Sequence, residues 1–404
     1  MRESLLGQTG YAYTTLSDAQ RSAYLDICDR IRALEAIDCR DYPELEPAEV
    51  SRVLVCIDMD HPEFFWMDSY MSRLARMVVA ARSNMAESTD AAIENAWDSA
   101  TDMDGDGEMG LRERIDSVGA ALNFENPAMR WAIVKKLKPS RRWNHAEIER
   151  IQRVIEERVE ECRATIPPGA NDYQIYRACF EYVCRTTSYS VEDALEKQDV
   201  RSVFLEGDSV CKGYAEALQY LLLSFGVPCF NVWGMVEGTA GRVYTLHAWN
   251  YVWVNGMWNV SDPTLADYDL QRNEEMFAAL PSWYAKEVLD YSQMSIADES
   301  HVPIDLVPLP ATGSTGDYFM REGTEVRMGD ASAIEDAVIR VSTGEERFLC
   351  FRILDGDELS AKWLANAAGR IARTHATFAL LPKPAPAHTI RLPRHANILA
   401  LYFE

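Results

Sequence analysis

No part of the 404-residue chain holds an unbroken apolar run of the length a membrane-spanning helix needs, about eighteen residues or more. A single hydrophobic crossing is excluded. Positive charge is also scarce: 40 Lys and Arg stand against 63 Asp and Glu, a formal net charge of −23. That balance repels nucleic-acid phosphates and anionic lipid surfaces instead of releasing counterions from them. No nucleic-acid partner is expected. The nine cysteines are odd in number and contain no CxxC pair, so neither a disulfide framework nor a zinc ribbon is indicated. Mostly free thiols in a reducing compartment follow. Met1 to Tyr13 lack the basic-then-apolar profile of a signal peptide. The expected location is therefore the cytoplasm, or the exterior if a leader was trimmed. Internal repeats and low-complexity tracts are missing too.

What is present is the balance of a folded globular protein, 48% hydrophobic and 25% charged, with room for two or three domains of about 150 residues. The expected class is α+β, in three parts. Residues 1–168 read as a helical N-terminal region. Ile148, Ile151, Val154, Ile155, Val159 and Cys162 mark one helical stripe, and Asn144 with Glu147 has the pattern of a capping box at its start. Pro167, Pro168 and Gly169 end that region, and a helix over Ile175 to Cys184 follows. Residues 169–295 form the expected core. Residues 296–404 read as a small mixed α/β domain, entered through a linker marked by Pro303, Pro308 and Pro310. Its strands are expected at Val338 to Val341, Phe348 to Leu354, Thr377 to Leu381 and Ile398 to Phe403, with a helix over Glu358 to Arg373.

Most of the chemistry lies between Gly207 and Asp262. Tyr214, Ala217, Leu218, Leu221 and Leu222 form a helical stripe closed by Gly226 and Pro228, with Ser209 as the expected N-cap. Cys211 then falls in the first turn, where unpaired amides and the helix dipole stabilise a thiolate. Strands are expected over Cys229 to Val236, Val243 to Val254 and Met257 to Ser261, and Asn255-Gly256 is the two-residue turn of a hairpin. If Val254 faces Met257, Trp249 faces Asp262 and His247 lies diagonally beside Asp262 on the same sheet face. Diagonal neighbours are about 7 to 8 Å apart, within reach of a carboxylate–imidazole contact. A thiol, a base to take its proton and a carboxylate to hold that base are the parts of nucleophilic catalysis. Trp249, Trp253 and Trp258 read as hairpin core. His145, His301, His375, His388 and His395 show no partner pattern and are assigned surface or ordinary hydrogen-bonding roles.

The segments "GDSVCKGYAEALQYLL" and "HAWNYVWVNGMWNVSDPT" resemble the transglutaminase-like superfamily of papain-like cysteine enzymes, over about Tyr173 to Asp267. The resemblance implies a core helix packed on an antiparallel sheet, with Cys211 as nucleophile, His247 as base and Asp262 as the orienting acid. Upstream, "YPELEPAEVSRVLVCIDMDHPEFFW" is similar to the helical lead-in of some bacterial members. There Asp60 and His61 would be structural, and Phe64, Phe65 and Trp66 core. The implied activity is that of a cysteine protease or amidase, a hydrolase acting on peptide or side-chain amides by acyl transfer through a thioester, with hydrolysis favoured over crosslinking. Release of glycans from asparagine, another activity of the superfamily, is disfavoured because its CxxC zinc pairs are absent. The competing reading is an inactive module that binds a peptide or protein. One oxyanion donor is expected at the Cys211 N–H, and no residue stands out as the second.

A separate motif, Asp102, Asp104, Asp106, Gly107 and Glu113, fits the calcium loop of an EF-hand, with the Glu108 carbonyl as a further ligand. Against it, the loop stands alone, and Asp98 and Thr101 occupy positions that are usually apolar. A solvated Asp-Gly helix connection is the competing reading. No cofactor is required by the expected chemistry, and calcium would be structural.

Overall fold

The computed structural model describes residues 3–66, 136–137, 143–190, 197–237, 244–267, 289–296, 301–303, 307–330, 334–342, 348–356, 360–374, 387–391 and 397–403. The candidate calcium ligands Asp102, Asp104, Asp106, Glu108 and Glu113 lie outside these residues, as does the strand expected at Thr377 to Leu381. Helix and sheet are mixed in the α+β manner. The chain divides into two compact units, Met1–Thr264 with Ala297–Gly313, and Leu265–Ile296 with Ser314–Glu404.

The first unit opens with α1 (Tyr11–Thr14), α2 (Asp18–Arg32) and α3 (Pro47–Asp60). Asp60, at the end of α3, is buried and accepts hydrogen bonds from the backbone N–H groups of Ala12 and Tyr13, both at 2.9 Å, and from the Tyr24 hydroxyl at 3.0 Å. One carboxylate thus satisfies the open end of α1 and ties the three helices together. Phe64, Phe65 and Trp66 are buried behind it. Next come α4 (His145–Arg163) and α5 (Asp172–Thr186). Asn144 caps α4 through the Glu147 N–H at 3.0 Å, but the Glu147 carboxylate turns to Arg150, 2.8 Å away, so only half of the expected box forms. Ile148, Ile151, Ile155, Val159 and Cys162 make the buried stripe. All nine cysteines are free.

Helix α6 (Cys211–Ser224) is buried from Lys212 through Leu223. A helix enclosed on every side must satisfy whatever polar groups it carries, and α6 does so by fastening itself to its neighbours. Gln219 donates to the Met59 carbonyl of α3 at 2.8 Å, and Asn231 donates to Gln219 at 2.9 Å and to the Asp58 carbonyl at 3.2 Å. Asn250 donates to the Ala215 carbonyl at 2.9 Å.

The sheet on which α6 packs runs β1 (Cys229–Glu237), β2 (Tyr244–Val254), β3 (Met257–Ser261) and β4 (His301–Pro303), in the order β3-β2-β1-β4 with antiparallel neighbours. Asn255 and Gly256 carry φ angles of 49° and 87°, the left-handed pair that a tight hairpin turn demands. The register counted from that turn is present, from Val254 opposite Met257 to Asn250 opposite Ser261. The stretch after Ile296 departs from expectation. Instead of a linker it supplies β4, which pairs His301 with Val236 and Pro303 with Gly234. A proline is tolerated there because β4 is an edge strand, where a missing N–H breaks no ladder.

The second unit contains a four-stranded sheet of β5 (Glu325–Val326), β6 (Phe348–Ile353), β7 (Ala387–Arg391) and β8 (Ile398–Phe403), ordered β7-β8-β6-β5. It also holds α7 (Tyr318–Glu322), α8 (Glu335–Ser342) and α9 (Ser360–Thr374). Phe351, Ile353, Leu364, Ala368, Leu399 and Leu401 are among the residues at the centre of its apolar core. The strand expected at Val338 to Val341 is part of α8. Ile334 and Val338, one helical turn apart, share the core, which overrides the strand preference of branched residues. Among the described residues no helix is long and apolar enough to cross a membrane.

Candidate functional site

Cys211 is the first residue of α6, and the residue before it, Val210, is the N-cap in an extended conformation with no side-chain cap. Ser209, the expected cap, sits one residue too early. Its hydroxyl donates to the Lys197 carbonyl at 2.8 Å and meets the Ser202 hydroxyl at 2.6 Å. The first turn of α6 therefore keeps its amides for something other than a cap, and they add to the positive end of the dipole beside Sγ. The backbone approaches closely here. A Cβ on Gly213 would lie 2.0 Å from Ser209 Oγ and 2.9 Å from Ser202 Oγ, so only glycine fits under the turn.

His247 enters from β2, and its Nε2 lies 2.6 Å from Asp262 Oδ2, the contact counted from the hairpin turn. Asp262 follows directly on β3 and is fully buried. The Cys211 side chain lies close enough to the His247 ring to favour its charged form. Histidine and aspartate are thus hydrogen-bonded, with the Cys211 side chain beside the same ring. Burial works against a charged imidazole, but Asp262, followed by Cys211, outweighs it and pushes His247 up to about 10. Burial alone would raise Asp262, and the two histidines beside it hold it well below the usual carboxylate range. With Nε2 given to the carboxylate, Nδ1 of a neutral His247 is the nitrogen left to accept a proton from the thiol.

The second histidine is His301, for which the sequence reading found no partner. Its Nε2 lies 2.9 Å from the same Asp262 oxygen, with a side chain 4% exposed. Trp249 closes over the group, edge-on to His301 with centroids 5.0 Å apart and stacked with His247 at 6.2 Å. Register explains the convergence. His301 pairs with Val236, which pairs with Thr245, two residues before His247, while Gly234 lies between His247 and Pro303 without a side chain of its own. No pattern in a three-residue edge strand 39 residues beyond Asp262 signals this contact.

The ligand atoms of His247, Asp262 and His301 lie within 4.8 Å of one another, as in a His₂–carboxylate metal set. The two nitrogens, however, are at hydrogen-bond distance from a single oxygen, 2.6 and 2.9 Å. Ligand atoms around a zinc-like ion would be held roughly 3.3 Å apart. Hydrogen bonding accounts for the geometry.

Beside Cys211, Lys212 is buried with its Nζ 3.2 Å from Asp58 Oδ2 and in contact with Glu216 Oε1. Burial pushes Glu216 up to about 8 against the pull of Lys212, with Asp58 adding to the rise. Of the nine cysteines, Cys211 and Cys39 are partly exposed and the rest are buried, so the thiol at the helix start is one that solvent can approach.

Residues 142–263 match the transglutaminase-like superfamily, a span that includes Cys211, His247 and Asp262 but stops short of His301. A mouse kyphoscoliosis peptidase is 31% identical over 106 residues, covering 23% of this chain and 16% of that protein. The match therefore spans about a sixth of the mouse protein's length. A solved transglutaminase (TGase) structure covers 31% of this chain and 34% of its own at 16% identity and a TM-score of 0.27. A proposed cysteine protease from Cytophaga hutchinsonii covers 27% and 37% at 12% identity and a TM-score of 0.23. The similarity to the transglutaminase-like superfamily is thus carried by residues 142–263.

Proposed function

We propose that this protein is a thiol enzyme that cleaves peptide or side-chain amides through a thioester on Cys211. The observation that carries this reading is the His247–Asp262 hydrogen bond with the Cys211 side chain beside the same imidazole. In the first half-reaction His247 Nδ1 takes the thiol proton, and the Cys211 sulfur attacks the amide carbon, forming the C–S bond. The carbonyl oxygen gains the negative charge, and the Cys211 N–H at the open start of α6 is placed to stabilise it. Collapse of this intermediate breaks the C–N bond, and His247 returns the proton to the departing amine. In the second half-reaction His247 takes a proton from water, the resulting hydroxide attacks the thioester, and the acid leaves with the Cys211 thiol restored. Asp262 keeps Nε2 protonated throughout. Thiol, imidazole and water complete every bond, so no cofactor is needed.

Hydrolysis is favoured over transfer to an amine because the mouse relative bears the name of a peptidase. This rests on analogy and is open to direct test. Intact-mass labelling with iodoacetamide from about pH 5 to about pH 9, followed by peptide mapping, reads the nucleophile. The expected result is early alkylation confined to Cys211 that weakens in His247→Ala. Slow labelling shared among the cysteines and unchanged in the variant would overturn the enzyme reading in favour of an inactive module that binds a peptide or protein.

A further inference from the structure

We propose that His301 is a positioning residue that fixes Asp262 and limits its pull on His247, adding a fourth member to the site from outside the region that matches the superfamily. The inference rests on the triad reading given above and deepens it.

One oxygen, Asp262 Oδ2, accepts from both imidazoles, His247 Nε2 at 2.6 Å and His301 Nε2 at 2.9 Å. For both bonds to exist, each ring keeps its proton on Nε2. Two consequences follow. The carboxylate is held from a second side, by a strand that shares no turn with the hairpin carrying His247, so its orientation does not depend on His247 alone. The charge on Oδ2 is also divided between two donors, so it draws less strongly on the His247 proton than a carboxylate bonded to His247 alone. An imidazolium clamped by an undivided carboxylate is a poor acid for the leaving amine, and His301 relieves that clamp. The titratable groups that face His247 are Asp262, the Cys211 thiol and the His301 ring, its centroid 6.1 Å away, so replacing His301 removes that ring as well as strengthening the hold of Asp262. Burial of the two rings, 8% and 4% exposed, keeps water from replacing either donor.

The test compares His301→Leu, which removes the donor, with His301→Gln, which restores an N–H at similar reach. Two readouts are taken on the full-length protein: ¹⁵N NMR titration of the His247 ring and the pH profile of hydrolysis of p-nitroacetanilide, an amide whose leaving amine needs a proton. In His301→Leu the His247 titration and the alkaline limb of the rate should both move up by about one pH unit, and the rate near neutrality should fall about tenfold. His301→Gln should recover most of each. If His247 titrates at the same pH in all three proteins, the proposal is overturned even where rates fall, because packing alone would then explain the loss. If His301→Leu does not fold, the Gln variant decides, since a role in packing alone predicts a lower rate with an unmoved limb. Failure of the triad reading looks different: the unsubstituted protein would itself show no anilide hydrolysis and no preferential alkylation at Cys211.

Discussion

Helices α6 and α9 are nearly the same length, 14 and 15 residues, and are built on opposite plans. In α9 the residues at the core are Leu364, Ala367 and Ala368, with Ala361, Trp363 and Ile371 packed against it. Apart from Ser360 at its start, its burial is apolar, and the stabilisation is the ordinary transfer of hydrocarbon from water. In α6 burial takes in Lys212, Glu216 and Gln219 along with the apolar residues. Each polar group costs desolvation free energy unless a partner offsets it, and the partners come from α3 and β1. A helix held by directional bonds at several points has less freedom to slide or rotate than one held by a greasy stripe. Such restraint is what the proposed role of Cys211 at the helix start would require, because acyl transfer depends on placement to a fraction of an ångström.

This contrast can be broken or sharpened by substitution. The largest effect should come from Asp262→Asn, which removes the carboxylate that sets the His247 tautomer. Hydrolysis of p-nitrophenyl acetate should fall by about 10⁴-fold. Leu364→Ala in α9 should cost about 3 kcal/mol of stability and leave the same rate unchanged. Equal loss of rate in both would abolish the distinction between the helices.

Gly213→Ala places a methyl group 2.0 Å from Ser209 Oγ and should destabilise the first unit by about 3 kcal/mol, read from the urea midpoint. A wild-type midpoint would show that the turn before Cys211 yields easily, against the restraint argued for α6. Gln219→Leu should cost about 2 kcal/mol, because Asn231 Nδ2 and the Met59 carbonyl each lose a partner in the interior. If the variant is as stable as the parent, the directional bonds contribute little and hydrocarbon packing holds both helices.

The smallest effect is in pH dependence. His247 is raised to about 10 in the folded protein, against about 6.5 when unfolded. Its contribution to stability is therefore fully present below about pH 6.5 and is lost as pH rises through about 10. Thermal midpoints should decline by a few degrees across that interval, and His247→Asn should flatten the decline. A slope unchanged in the variant would assign the titration to another group.

Part of this arrangement was legible in the sequence. Asn255-Gly256 between two alternating runs fixes the hairpin turn, and counting from it brings His247 to Asp262 before any coordinate is known. The N-cap of α6 was misplaced by one residue, because Ser209 has the right chemistry and Val210 the right backbone. Val338 to Val341 look like a strand, although Glu335 and Asp336 in the first turn of α8 and Arg340 in its last complement a helix dipole and could have corrected the reading. His301 had no such signal. Its partner is set by an edge strand too short for periodicity and by pairings across β1 that only tertiary structure reveals.

The route of the chain gives β4 a significance beyond its three residues. After Thr264 the backbone leaves the first unit, contributes Leu265–Ile296 to the second, returns for Ala297–Gly313, and departs again. The oxygen shared by His247 and His301 is therefore completed only after a long excursion of the polypeptide. During synthesis, the thiol, its base and the orienting acid all emerge from the ribosome before the strand that braces them. A nascent chain ending near Thr264 would hold the triad residues without their edge strand, so assembly of the site is deferred until the excursion has closed.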